Sequence, residues 1–246
     1  MKRFRFNGLL FYAAIAFFLT SCSGNGSKET NTDTTAADTT TTSTVAPEAN
    51  TIVTAPQNMI VIMHKVSNFE KWKSAYDEHD SARLASGVHN FVIARGAEDS
   101  NMVLVALKID DTTKAKAFGK DPGLKKAMQK GGVTGTPSIS FVTMVFQDTA
   151  DIGSVLRASS TFTVKDWDTW QKAFEDGRQM RLDNGIKDRA YGHDLDDNKK
   201  VSVVTALTDT AKAFAFYKSD ALKEKMKASG VVSTPKRFIY TIVQRY

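Results

Sequence analysis

The chain has 246 residues, a formal net charge of +6 and a single cysteine, Cys22. One cysteine excludes internal disulfides, cysteine-ligated metal centres and a thiol nucleophile from everything after it. Basic residues such as Lys125, Lys126, Lys223, Lys225 and Lys227 are interleaved with acids. They form solvated faces, not the basic stripe with base-stacking aromatics that a nucleic-acid partner requires.

The amino terminus is basic, Met1-Lys2-Arg3-Phe4-Arg5, and is followed by an apolar run over residues 9–19 and then Leu19-Thr20-Ser21-Cys22. These are the parts of a secretory signal. The last four residues resemble the bacterial lipobox. That resemblance implies removal of residues 1–21 and a lipid on Cys22, which makes the membrane a partner through the anchor. An uncleaved span is the weaker alternative, because the apolar run falls short of the roughly 20 residues that cross a bilayer. Several acyl chains on one residue anchor stably where one does not. Ser23 after the cysteine resembles an outer-membrane address, on the extracytoplasmic side. Loss of Lys2, Arg3 and Arg5 with the signal lowers the formal charge from +6 to +3.

Residues 22–57 are polar and threonine-rich, a composition that does not repay the entropy of ordering. They read as a disordered tether spanning roughly 30–35 Å.

Beyond the tether the chain is one unit written twice, over residues 58–148 and 153–246. Trp72 matches Trp170, Gly87 matches Gly185 and Pro137 matches Pro235, each about 98 positions on. In the first copy, residues 59–66 form a β-rich run that ends before the helix cap Asn68. Phe69, Trp72, Tyr76, His79 and Arg83 then recur at helical spacing until Gly87. Two strands are predicted at 90–94 and 102–109, around the turn cluster at 96–100. A second helical region starts at Asp110-Asp111-Thr112, breaks at Asp121-Pro122-Gly123 and stops at Gly131-Gly132; residues 138–146 form the last strand. The second copy predicts strands at 155–164, 187–193, 201–207 and 237–244, with helices at 166–184 and 210–229.

Each copy thus reads βαββαβ, a split βαβ of ferredoxin-like type. Its strands are apolar on both faces, yet two helices cover only one face of a four-stranded sheet. The other face must be buried, and the second copy supplies an equivalent sheet in the same chain. The predicted fold is therefore α+β: two ferredoxin-like repeats joined as an intramolecular pseudo-dimer in a monomeric chain.

The apolar first strand, Val-x-Asn/Asp-aromatic-x-x-Trp, the arginine before the helix-ending glycine and Gly-Val-x-x-x-Pro together resemble the dimeric α/β-barrel superfamily. Within it, the likeness is to small proteins related to antibiotic-biosynthesis monooxygenases. It covers residues 59–246 and implies the barrel fold. The superfamily holds cofactor-free monooxygenases, haem-degrading enzymes, isomerases and proteins of unknown role, so fold alone assigns no activity.

The resemblance also implies ligand clefts between sheet and helices, lined by Trp72, Tyr76, His79 and Arg83 in one copy and by Trp170, Phe174 and Arg181 in the other. Aromatic walls with a cation at the end suit a flat aromatic or anionic small molecule. Core packing of the aromatics, and an internal acid such as Asp80 for Arg83, are the plainer readings. His79 is matched by Gly177. It is the candidate catalytic residue, a general base beside Tyr76 and Arg83, with a hydrogen-bonded core histidine as the plainer alternative. No cofactor is called for: the asparagine, tryptophan and histidine set of haem-degrading relatives finds no histidine between Thr112 and Gly132. No metal is called for either, since no two histidines have a metal-binding spacing. The leading expectation is a small-molecule-binding or accessory lipoprotein. The alternatives are a cofactor-independent monooxygenase- or isomerase-like enzyme using His79, and a structural or interaction lipoprotein.

Overall fold

The computed structural model describes residues 50–246. The signal, Cys22 and most of the tether lie outside the described residues. Among the described residues, strand structure is already present before the expected boundary at residue 58. A short β1 (Ile52–Val53) pairs with the end of β5 (Val133–Asp148), placing Ile52 opposite Asp148 and Val53 opposite Gln147. Thr51 Oγ1 donates to Asp148 Oδ1 at 3.2 Å, so the end of the tether covers the overhang of a 16-residue strand.

The first copy runs β2 (Gln57–Val66), α1 (Phe69–Glu78), α2 (Asp80–Ala85), β3 (Val88–Gly96), β4 (Met102–Ile109), α3 (Thr112–Phe118), α4 (Pro122–Lys130) and β5. The second runs β6 (Arg157–Thr163), α5 (Trp167–Asp176), α6 (Arg178–Asp183), β7 (Ile186–Asp194), β8 (Lys200–Leu207), α7 (Thr210–Lys218), α8 (Asp220–Ala228) and β9 (Lys236–Arg245). Asn68 accepts from the Lys71 amide at 2.8 Å and Asp166 from the Thr169 amide at 2.9 Å. Such side-chain caps each stabilise a helix start by about 1 kcal/mol.

The helix expected from Asn68 to Gly87 is broken at His79, and that over 166–184 at Gly177. The conserved spacing of the two arginines explains how the break is sustained. Arg83 Nη1 donates to the Tyr76 carbonyl and Arg181 Nη1 to the Phe174 carbonyl, both at 2.6 Å. A guanidinium thus adds a second donor to a carbonyl that already accepts the amide at the break, from His79 at 3.3 Å and from Gly177 at 3.2 Å. The helix expected over 210–229 is also divided, at Ser219, whose extended backbone and side-chain oxygen start α8 by accepting from the Leu222 amide.

All eight long strands pair antiparallel, in the order β5-β2-β4-β3-β9-β6-β8-β7, and a β5–β7 pairing returns to the start. The sheets of the two copies therefore join edge to edge into a closed barrel, which leaves no edge among these strands. Alternation gives each strand two destinations. Ile60 and Ile62 pack outward with Trp72 beneath the helices, while Val61 and Met63 pack inward with Leu104 and Tyr240. The expected barrel forms with the sheets curved around a central space, because closure through β3–β9 and β5–β7 satisfies the sheet edges as well as the apolar faces.

Candidate functional site

Helices on the outer wall create one cleft per copy. In the first, Trp72 stacks on Tyr76 with ring centroids 5.0 Å apart, and Arg83 lies over the Tyr76 ring at 3.7 Å. Tyr76 donates to Asn90 Oδ1 at 2.5 Å, and Asn90 Nδ2 and Arg83 Nη2 both reach Asp80 Oδ1, at 2.7 and 3.0 Å. The guanidinium therefore has its acid inside the protein. His79 sits at the helix break with its ring 6.0 Å from that of Phe118. Only about 40 Å³ remains open here, between Trp72, Tyr76, His79, Arg83 and the sheet.

Four buried polar atoms around that small space lack a hydrogen-bond partner among the described residues: Nδ1 and Nε2 of His64, Nδ1 of His79 and Nε of Arg83. Burial lowers the His64 pKa to about 4, so its ring is neutral at neutral pH. Burial, and after it the Arg83 charge, lowers that of His79. Burial also raises the Tyr76 phenol well above its usual range.

The second cleft repeats the frame with different filling. Trp170 stacks on Phe174 at 5.0 Å, and Arg181 lies 3.6 Å over the Phe174 ring. Arg181 is again held internally, by Asp188 from β7. Yet the open volume is about 390 Å³. Gly177 lines this cleft where the His79 imidazole stands in the first, and Thr205 replaces Leu107. Removal of the imidazole and the shorter side chain leave space between Trp170, Phe174, Phe216 and Met226.

Cations at this cleft are not those the sequence singled out. Arg237 stacks 3.6 Å over Tyr217 and donates from Nε to Ser160 Oγ at 3.2 Å. Lys225 lies on the same rim. Neither meets a carboxylate among the described residues, whereas Arg83 and Arg181 both do. The sequence reading missed Phe216, Tyr217, Met226 and Arg237. Comparing matched positions would have found Tyr217 and Arg237, since Gly119 becomes Tyr217 and Ile139 becomes Arg237, whereas Phe216 and Met226 match Phe118 and Met128 and carry no such signal.

No family model matches the chain, and no curated protein matches it by sequence. Solved structures do match. One is a Fusobacterium nucleatum protein described provisionally as a monooxygenase, with a TM-score of 0.51 and 12% identity over 77% of this chain and 93% of that one. Another is an anthrone oxidase-like protein, with a TM-score of 0.54 and 14% identity over 79% of this chain and 95% of that one. Likeness at such identity shows fold alone. The chain is a mixed α+β protein with the dimeric α/β-barrel fold, both halves of the barrel being supplied by one polypeptide.

Proposed function

We propose that this protein is a lipid-anchored, extracytoplasmic binding protein that takes flat, partly anionic small molecules in the helix-side cleft of its second copy. The observation that carries this reading is the contrast in open volume, about 390 Å³ beside Trp170 against about 40 Å³ beside Trp72. The larger space lies within the roughly 300–1,000 Å³ common to small-molecule sites. Trp170, Phe174, Phe216 and Tyr217 line it with aromatic surface, and Arg237 and Lys225 offer an anion its charge partner.

The test is a thermal-shift titration with 2-naphthoate, a flat aromatic carboxylate. Binding to the folded state alone stabilises by about 2.7 kcal/mol at one hundred times the dissociation constant. The shift should vanish in Met226→Trp, which fills the open cleft, and persist in Met128→Trp, the matched change in the first copy. A shift lost only in Met128→Trp, or no shift at all, overturns the reading. Lipid attachment is tested separately: Cys22→Ala should move the chain from the membrane to the soluble fraction.

A second reading, an oxygenase of the kind named in the two structural neighbours, is favoured by the unpartnered nitrogens around His79. A neutral imidazole held against a cation would take a proton from a substrate whose oxyanion Arg83 steadies. His79→Ala would then abolish turnover while leaving the melting temperature nearly intact. The first cleft would have to open well beyond 40 Å³ to admit a substrate, which makes binding in the second cleft the better account.

A further inference from the structure

The barrel interior holds a separate cavity of about 660 Å³. The sheet lies between it and the second-copy cleft, and Arg237 alone lines both. Its two walls differ in chemistry. Met59, Val61 and Leu104 face it from the first copy, whereas the matched positions of the second carry Arg157, Ser159 and Ser202. Phe91 is likewise matched by Arg189, and Gln147 by Arg245. Round the barrel, β2, β4 and β9 bring Val61, Met63, Leu104, Phe238 and Ile242, whereas β6 and β8 bring hydroxyls and Arg157, and Ser138 and Ser140 of β5 add hydroxyls beyond β7.

The fold does not require those arginines, because the first copy builds the same strands with Met59, Phe91 and Gln147 in their places. They are also costly to bury. Arg157 is 2% exposed and Arg189 5% exposed. The carboxylate within reach is Asp148, which already receives Arg189 Nη1 at 2.9 Å and Lys187 Nζ at 3.2 Å. Asp151 acts on Arg157 and Arg189 only through space. Arg157 donates from Nη1 to the Val155 carbonyl at 3.0 Å and pairs with no carboxylate among the described residues.

A buried cation without an anion destabilises a fold unless something else supplies the charge. Burial, then the neighbouring Arg189 charge, lowers the Arg157 pKa to about 10, which still leaves the guanidinium protonated at neutral pH. Tyr240 stands opposite Arg157 across β6 and β9, and burial holds its phenol up to about 12, so that it remains a donor. Beside the Arg189–Asp148 pair, the polar end of the cavity therefore offers the Arg157 guanidinium and the Tyr240 hydroxyl as donors.

We propose that the barrel interior binds a rigid organic carboxylate with one apolar and one hydroxyl-bearing face. The apolar face lies on Val61, Met63, Leu104 and Phe238, the oxygenated face meets Ser159 and Ser202, and the carboxylate is received by Arg157. This site is independent of the helix-side cleft and stands or falls without it.

Cholate, kept below its micellar concentration, has this pattern, and dodecanoate shares the carboxylate without the oxygenated face. Isothermal titration of the full chain should give saturable one-to-one binding of cholate, at least tenfold tighter than dodecanoate. Arg157→Met and Ser202→Leu each install a hydrophobic residue, methionine being the one the first copy carries at that position and leucine the match for Ser202. Both should weaken cholate at least tenfold, while Met226→Trp leaves it unchanged. If Arg157→Met does not fold, Ser202→Leu decides. Absence of saturable binding, equal affinity for dodecanoate, cholate affinity indifferent to the two interior changes, or its loss in Met226→Trp would each overturn the proposal.

Discussion

Arg181 and Asp188 meet through two parallel hydrogen bonds, Nε to Oδ1 at 2.7 Å and Nη2 to Oδ2 at 2.5 Å, with side chains only 12% and 7% exposed. Asp188 matches Asn90 of the first copy, where Arg83 turns instead to Asp80 on its own helix. The two copies thus neutralise matched arginines with acids from different elements. Removing one member of a buried pair costs about 3–5 kcal/mol, because the other is left charged and unpaired. Asp188→Ala should lower the melting temperature accordingly, and Arg181→Met together with Asp188→Leu should recover most of the loss. Calorimetry of the three variants checks this; a double variant as unstable as the single one contradicts it.

His64 gives the stability a pH dependence of known sign. Its pKa is about 4 in the fold, below the ordinary 6.5, so the unfolded chain binds the proton more readily. The neutral ring's contribution is complete above pH 6.5 and is lost as pH falls toward 4, by about 3 kcal/mol in all. His64→Phe installs the residue that the second copy carries at Phe162. Between pH 7 and pH 4.5 the variant should lose less stability than the parent in urea unfolding. Parallel pH curves would show that His64 is not the source.

The seam between β5 and β7 depends on Gly192. A Cβ there would lie 2.0 Å from the Thr143 carbonyl oxygen and 2.7 Å from Met144 Cα, and backbone cannot yield as a flexible side chain does. Gly192→Ala should therefore cost at least the 1–3 kcal/mol typical of overpacking. The loss should be local, with faster hydrogen exchange along residues 142–147 than in the first-copy pairing of β2 with β4. Unchanged exchange at that seam would contradict the account.

Much of the architecture was legible because it rests on residues with few substitutes. Asn68 and Asp166 cap helices, Gly87 and Gly185 adopt positive φ of 65° and 69°, and Trp72 and Trp170 fill the same place under the helices. The helix breaks were not legible, since the helical spacing runs through His79 and Gly177 without interruption and the contacts of Arg83 and Arg181 with the Tyr76 and Phe174 carbonyls leave no mark in it. The openness of the second cleft was hidden for a related reason. It depends on how much volume an imidazole occupies that a glycine does not, and spacing carries no volumes. The barrel was expected but the residues lining its interior were not legible, because Met59 to Met63 is apolar at every position, leaving inward and outward phases alike. Arg157, Ser159 and Thr161 on the matched strand do reveal the phase, once the strand is known to close a barrel.

Binding in the second copy is tested most directly by NMR of the indole Nε1–H groups of Trp72, Trp167 and Trp170, the three tryptophans of the chain. Titration with 2-naphthoate should shift the Trp170 resonance progressively and saturably while that of Trp72 stays in place. A shift of Trp72 alone, or of neither, would contradict the account.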